Sequence, residues 1–332
     1  MFFTTAAIAL ISAMVILFLY GNSSHSLESY SGYFVSDSGD TPRDGAVKVT
    51  SFGNTTLLFD DGETRILFDC FFTRPSLLRS IACKIKTDRR LMDRLLSENS
   101  FSGLRGIFIS HSYYDHLLDG AYMSKKTGAV LYGSESTLNV GRGGNVPEEN
   151  LTAFKVNTPV KIGNFTVTVL KSKHSEPGFY NNDIGVEIKK PLKQPARRRD
   201  YTEGGSFDFL IEYGGRKILI RPGFNYIEGS LENIRAEVLF AGIALSGRAG
   251  TRTRDKFYAE TIGKVRPHLV VPVHWDNFFL PLDSPPRLLF RFADNLPASL
   301  NYFIKRTGED GISFKMLRAY QSIILFQGLP PE

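Results

Sequence analysis

The stretch Ile109-Ser110-His111-Ser112-Tyr113-Tyr114-Asp115-His116-Leu117-Leu118-Asp119 decides how this chain is read. Two His and one Asp crowd into the six residues from His111 to His116. They directly follow the apolar run Gly106-Ile107-Phe108-Ile109, which reads as a buried strand. Imidazole and carboxylate this close on a strand-to-helix turn can converge on one cation without help from a helix face. The chain holds six His in all, and two of them sit in this turn. A plain helix-capping turn, with Asp115 or Ser112 as N-cap, is the alternative use of the same residues. The His residues downstream weigh against it.

The run resembles the signature turn of the metallo-β-lactamase-fold hydrolases, His-x-His-x-Asp-His. The pattern is met at His111, Asp115 and His116 and broken at Tyr113, where the second His belongs. Further landmarks follow in the family's order. Leu67-Phe68-Asp69 closes an early strand where the family carries a structural Asp beside the metal turn. His174, in Lys173-His174-Ser175, stands at the place of the next His ligand. His274, in Val271-Pro272-Val273-His274-Trp275-Asp276, stands at that of the last. The wording Tyr-Asp-His-Leu-Leu-Asp is similar to a bacterial branch of the superfamily, and the resemblance spans roughly residues 45 to 328. It implies an α+β fold, a four-layer αββα sandwich. Periodicity alone supports only a mixed α/β or α+β domain.

The resemblance also implies a division of ligands between two ions. The second set is complete, with Asp115, His116 and His274; the first is reduced to His111 and His174, with Tyr113 in the vacant place. The carboxylate that bridges the two ions in the family is absent, because Arg221-Pro222-Gly223 follows the strand Ile218-Leu219-Ile220. Tyr is a poor zinc ligand at neutral pH, since its phenol loses a proton only near about pH 10. Three readings stay open at this point. One ion occupies the Asp115/His116/His274 set while His111 and His174 position water or substrate. A ferric ion accepts a tyrosinate, or the Tyr113 phenol donates to a substrate oxyanion. Or the site holds no metal.

The expected function is that of a hydrolase using one zinc ion, with Fe or Mn as alternatives. A metal lowers the pKa of its water towards about 7, and the resulting hydroxide would attack an ester, lactone, amide or phosphodiester. Asp115, His174 and Tyr113 are the expected catalytic residues. The competing class is a non-catalytic binding protein that kept the fold and lost part of its metal site. Asp69 is expected to support the turn from behind, and Asp276 either to hold a ligand imidazole or to cap the next segment.

Residues 2–20 are uncharged and almost wholly apolar, close to the roughly 20 residues a membrane-crossing helix needs. No Lys or Arg precedes them, so the expectation for 1–20 is an uncleaved anchor, with a cleaved signal second. Glu28, Asp37 and Asp40 precede the first basic residue, Arg43, which sets the domain on the extracytoplasmic side. Residues 21–44 read as a linker and 45–330 as the domain. The net charge of +6 is partly local, because Lys189 to Arg199 packs six cations into eleven residues. That loop is either solvated or a rim that attracts an anionic or lipid-like small substrate. Aromatic residues are not interleaved with it, which speaks against nucleic acid. Two Cys, Cys70 and Cys83, form no disulfide framework, although a single bridge between them is open in an oxidising compartment.

Hairpin and strand signals run along the chain. Gly53-Asn54 separates strands at Ala46–Thr50 and Thr55–Phe59, and Gly214-Gly215 closes a hairpin from Phe207 to Ile220. Helices are expected near Lys86–Glu98, Leu117–Lys126, Glu135–Val140 and Asp255–Lys264.

Overall fold

Sixteen short strands are ordered in a computed structural model that describes residues 12, 14, 27–36, 45–98, 101–176 and 182–327. In chain order they are β1 (Val47–Ser51), β2 (Leu57–Asp60), β3 (Arg65–Phe68), β4 (Lys84–Ile85), β5 (Leu104–Phe108), β6 (Val130–Gly133), β7 (Leu151–Ala153) and β8 (Pro159–Ile162). There follow β9 (Phe165–Lys171), β10 (Ala196–Arg197), β11 (Phe207–Tyr213), β12 (Arg216–Arg221), β13 (Val238–Gly242), β14 (Leu269–Val273), β15 (Ser313–Phe314) and β16 (Ser322–Leu325).

They build two seven-stranded sheets, β16-β1-β2-β3-β5-β6-β7 and β15-β14-β13-β12-β11-β9-β8. Each sheet is antiparallel in one half and parallel in the other, with β3, β5, β6 and β7 parallel in the first and β12 to β15 in the second. Alternation along the strands divides the apolar residues between two faces. Val47, Val49, Phe59, Ile66 and Phe68 turn inward to meet Phe209, Ile211, Ile220 and Phe240 of the other sheet. The ring pairs Phe68–Phe209 (5.1 Å) and Phe59–Phe240 (5.9 Å) cross the interface. Each such fully buried ring contributes about 1.5–3 kcal/mol through the area it removes from water.

The opposite face of the first sheet offers Leu58, Leu67, Ile107 and Leu131, in one cluster with Met92, Leu95 and Met123 of the helices Arg89–Ser97 and Gly120–Thr127. On the second sheet Leu219, Leu239 and Val270 join Phe257, Leu300 and Phe303 of Thr251–Glu260 and Leu296–Glu309 in the same way. Helix, sheet, sheet, helix is the layering expected.

One expectation changes. The anchor reading, with the domain outside the cytoplasm, is corrected: among the described residues no helix is long and apolar enough to cross a membrane. Residues 2–20 themselves lie outside the described residues, apart from Ser12 and Met14. Apolar length is necessary for a span but does not establish one. Within the stretch read as a linker, residues 27–36 pack on the domain. Tyr30 Oη donates to Asn301 Oδ1 (3.0 Å), the Val35 N–H to the Met316 carbonyl (3.1 Å), and the Phe34 ring meets Trp275 at 5.9 Å. Cys70 and Cys83 are both free, the first buried and the second exposed.

Candidate metal centre

The carboxyl ends of strands from both sheets deliver the candidate residues to one edge. Beyond β5 the chain turns through Ser110 and His111 into the short helix Tyr114–Leu117, which carries Asp115 and His116. β9 leads to His174, and His274 follows β14 directly. Asp69 (φ 51°), His274 (φ 59°) and Asn54 (φ 50°) all take left-handed backbone. Such a conformation costs a non-glycine residue about 1–3 kcal/mol, less for Asn, so three at one edge mark geometry imposed by the surroundings.

Asp115 Oδ2 lies 3.6 Å from His116 Nε2 and 3.5 Å from His274 Nε2. The ligand atoms of these three residues are all within 4.8 Å of one another. Those separations are long for a strong hydrogen bond. They match the roughly 3.4 Å between donors around a tetrahedral ion with bonds of about 2.1 Å. His111 packs beside this set, its ring centroid 3.8 Å from that of His116 and 4.9 Å from that of His174. Tyr113 stands edge-on to both, at 5.1 Å from His111 and 5.0 Å from His174.

The imidazoles are held from behind. His116 Nδ1 donates to Asp69 Oδ2 at 2.6 Å, and Asp69 also accepts from the Ser110 N–H (2.7 Å), Ser110 Oγ (3.0 Å) and Thr55 Oγ1. His174 Nδ1 donates to the Ser175 carbonyl (2.9 Å), and His111 Nδ1 meets Ser110 Oγ (3.1 Å). Each of these three rings, when neutral, therefore leaves Nε2 bare and able to accept a cation or a proton. His111 Nε2 and His274 Nδ1 are buried with no hydrogen-bond partner among the described residues. A buried unpaired nitrogen costs about 1–3 kcal/mol, which a cation or a bound substrate group at His111 Nε2 removes. This donor set fits a borderline-soft divalent ion such as zinc.

Electrostatics agree. Burial pushes the His111 pKa well below the usual imidazole value, helped by repulsion from His116, His174 and His274. Burial lowers His174 likewise. On His116 burial is outweighed by Asp69 and Asp115, and its pKa rises. Burial opposes the charge on Asp115, yet His116 and His274 hold its pKa at about 2. Asp69 and Asp115 thus flank His116 with carboxylate oxygens, an arrangement that a divalent cation balances. Tyr113 goes the other way: burial, and the hydrogen bond from its Oη to Asp183 Oδ1 (2.6 Å), raise its pKa and keep the phenol protonated. A tyrosinate ligand is disfavoured by the same physics.

Asp276 differs from both expected roles. Its Oδ1 accepts the Asn54 N–H (2.7 Å), and its Oδ2 pairs with Arg74 Nη1 (2.8 Å). Asn54 in turn accepts the His274 N–H on its carbonyl (2.7 Å) and donates from Nδ2 to the Asp115 carbonyl (2.5 Å). The β1–β2 turn therefore clamps the two ends of the ligand set. Read as a hairpin signal alone, Gly53-Asn54 gave no hint of this. Asp119 was equally silent: fully buried, it accepts the N–H groups of Phe72 (2.8 Å) and Thr73 (2.7 Å) and ties the segment after Asp69 to the turn. Where the family's bridging carboxylate would stand, Arg221 is fully buried and paired with Asp208 at 3.2 Å.

Only 4% and 10% of the Arg74 and Asp276 side chains are exposed, so removing one partner strands a buried charge. Asp276→Ala should lower the unfolding free energy by about 3–5 kcal/mol. Urea denaturation of metal-free protein checks this, and a loss below about 1 kcal/mol, the range of exposed pairs, would show the pair to be incidental.

A family described as a β-lactamase superfamily domain matches residues 64–275. The chain is 24% identical over 237 residues to a UPF0173 metal-dependent hydrolase of Heliobacterium modesticaldum, covering 69% of this chain and 83% of that protein. A namesake from Anaeromyxobacter dehalogenans is 24% identical over 186 residues, 55% of this chain and 62% of its own length. Among solved structures, a metallo hydrolase of the archaeon Ignicoccus hospitalis superposes with a TM-score of 0.55 at 16% identity, over 84% of this chain and 98% of that one. At that identity the likeness speaks for the fold.

Proposed function

The chain belongs to the β-lactamase domain superfamily, and on that footing we propose that it is a metal-dependent hydrolase built around a single zinc ion held by Asp115, His116 and His274. The convergence of Asp115 Oδ2 with the Nε2 atoms of His116 and His274 supports this most directly. Zinc in a three-ligand site supplies a Lewis acid and lowers the pKa of water in its open position. The remaining roles fall to the chain's own residues. His111 and His174, kept neutral by burial, present Nε2 as an acceptor that positions water or substrate. Tyr113 keeps its proton and presents Oη–H as a donor for charge developing on a substrate oxygen, with Asp183 orienting it meanwhile. The bonds that fit are ester, lactone, amide and phosphodiester. The positive net charge favours an anionic small substrate.

A panel of chromogenic esters, lactones, amides and phosphodiesters tests the proposal. Turnover of at least one class should be lost on chelation and restored by one equivalent of zinc. Turnover indifferent to chelation would refute the metal's part. One bound zinc with no turnover across the panel would favour the non-catalytic binding protein, a reading that rests on Tyr113 in the place of a ligand.

A further inference from the structure

A concavity of about 990 Å³ is lined by none of the five candidate ligands. Its walls come from the helix Leu77–Ala82, the start of the helix Arg89–Ser97, and the loops around Gln194 and Leu282. Six cations face it, Arg74, Arg79, Lys86, Arg89, Arg90 and Arg94, against two carboxylates, Asp88 and Asp283. Both carboxylates are engaged elsewhere. Asp88 Oδ1 caps the helix by accepting the N–H groups of Arg90 (3.0 Å) and Leu91 (3.3 Å). Asp283 takes Arg94 (2.6 Å) and the Tyr320 hydroxyl (2.6 Å).

Arg79, Lys86, Arg89 and Arg90 make no ion pair among the described residues. Asp93, which attracts Arg89 at longer range, is bonded to Lys126 (3.1 Å) and Tyr122 (2.7 Å). The Arg74 side chain, which also lines the cleft, is 4% exposed, and its Nε has no hydrogen-bond partner among the described residues although Nη1 and Nη2 are used. Arg79, Lys86, Arg89 and Arg90 are all exposed and paired to no carboxylate among the described residues, so one sign of charge dominates the concavity and favours entry of a multiply charged anion. Pro75, Leu91, Pro195 and Leu282 give the same walls an apolar component, and the volume is that of a small-ligand site.

We propose that this cleft binds a small phosphorylated molecule carrying two or more phosphate groups, at a site separate from the metal centre. Arginine forks suit phosphate oxygens, and their spread over two helices and a loop suits several phosphates better than one. The cations line a concavity, which a small ligand can enter and a flat anionic surface cannot. Arg74 joins the cleft to the metal centre, because Asp276, its partner, holds Asn54 and through it His274.

Calorimetric titration with inorganic tripolyphosphate at physiological salt tests the site, on the full-length metal-loaded protein and on Asp115→Ala. The second arm removes any heat from chelation of zinc and makes the outcome independent of the proposed activity. Saturable one-to-one binding is expected in both. The double variant Arg79→Gln with Arg90→Gln should weaken it by roughly tenfold or more, from the loss of charge-assisted contacts. Lys86→Gln with Arg89→Gln should act in the same direction. Lys189→Gln with Lys190→Gln, exposed on the basic loop and absent from the cleft lining, should leave the affinity unchanged. Absence of saturable binding, or equal weakening by the loop variant, would overturn the proposal.

Discussion

Asp115→Ala is expected to leave the purified protein without bound metal and without hydrolytic activity. Asp115 Oδ2 is the atom that His116 Nε2 and His274 Nε2 both face, at 3.6 and 3.5 Å. Without it two imidazoles remain, fewer than the three protein ligands that catalytic zinc sites use. The fall in zinc affinity should exceed about a hundredfold, beyond the 10–100-fold typical of losing a supporting residue. The fold should survive, because Asp115 lies at the sheet edge and the inter-sheet core does not include it. Equilibrium dialysis against zinc, with circular dichroism as the folding control, reads both quantities. Undiminished zinc binding by a folded Asp115→Ala protein would place the ion elsewhere.

Tyr113→His should raise the zinc content from one ion per chain towards two. The Tyr113 ring stands about 5 Å from those of His111 and His174, so an imidazole there would join two that already point inward. Loss of the phenol frees Asp183 Oδ1 from its 2.6 Å hydrogen bond. Asp183 is partly exposed, so water can satisfy that oxygen and the cost in stability is small. Inductively coupled plasma mass spectrometry of the dialysed variant gives the count. An unchanged count would mean that the space around Tyr113 has closed and that the phenol serves substrate contact alone.

How much of this was legible in the sequence follows the reach of each interaction. The β1–β3 meander, the β11–β12 hairpin and the His111–His116 turn declare themselves through alternation, glycine turns and local spacing, all features of neighbouring residues. The helix expected over Leu117–Lys126 breaks in two, because Asp119 turns inward to hold the Phe72 and Thr73 amides. Asn54 reaches Asp115 across 61 positions, Tyr113 reaches Asp183 across 70, and Asp276 reaches Asn54 across 222. No local pattern encodes such pairs; only the closing of two sheets brings them together. Tyr30 and Phe34 were passed over for a related reason. They lie in a Ser/Gly/Asp-rich stretch with no strand or helix period, and their packing depends on partners near the other end of the chain, Asn301 and Met316.

The zinc content of the wild-type protein tests the single-ion reading most directly. Protein purified from zinc-supplemented culture and dialysed against metal-free buffer should retain one zinc per chain, bound by Asp115, His116 and His274 with Tyr113 protonated beside them. A value of two would show that His111 and His174 hold a second ion despite Tyr113, and a value of zero would show that the three-residue set does not hold zinc at all.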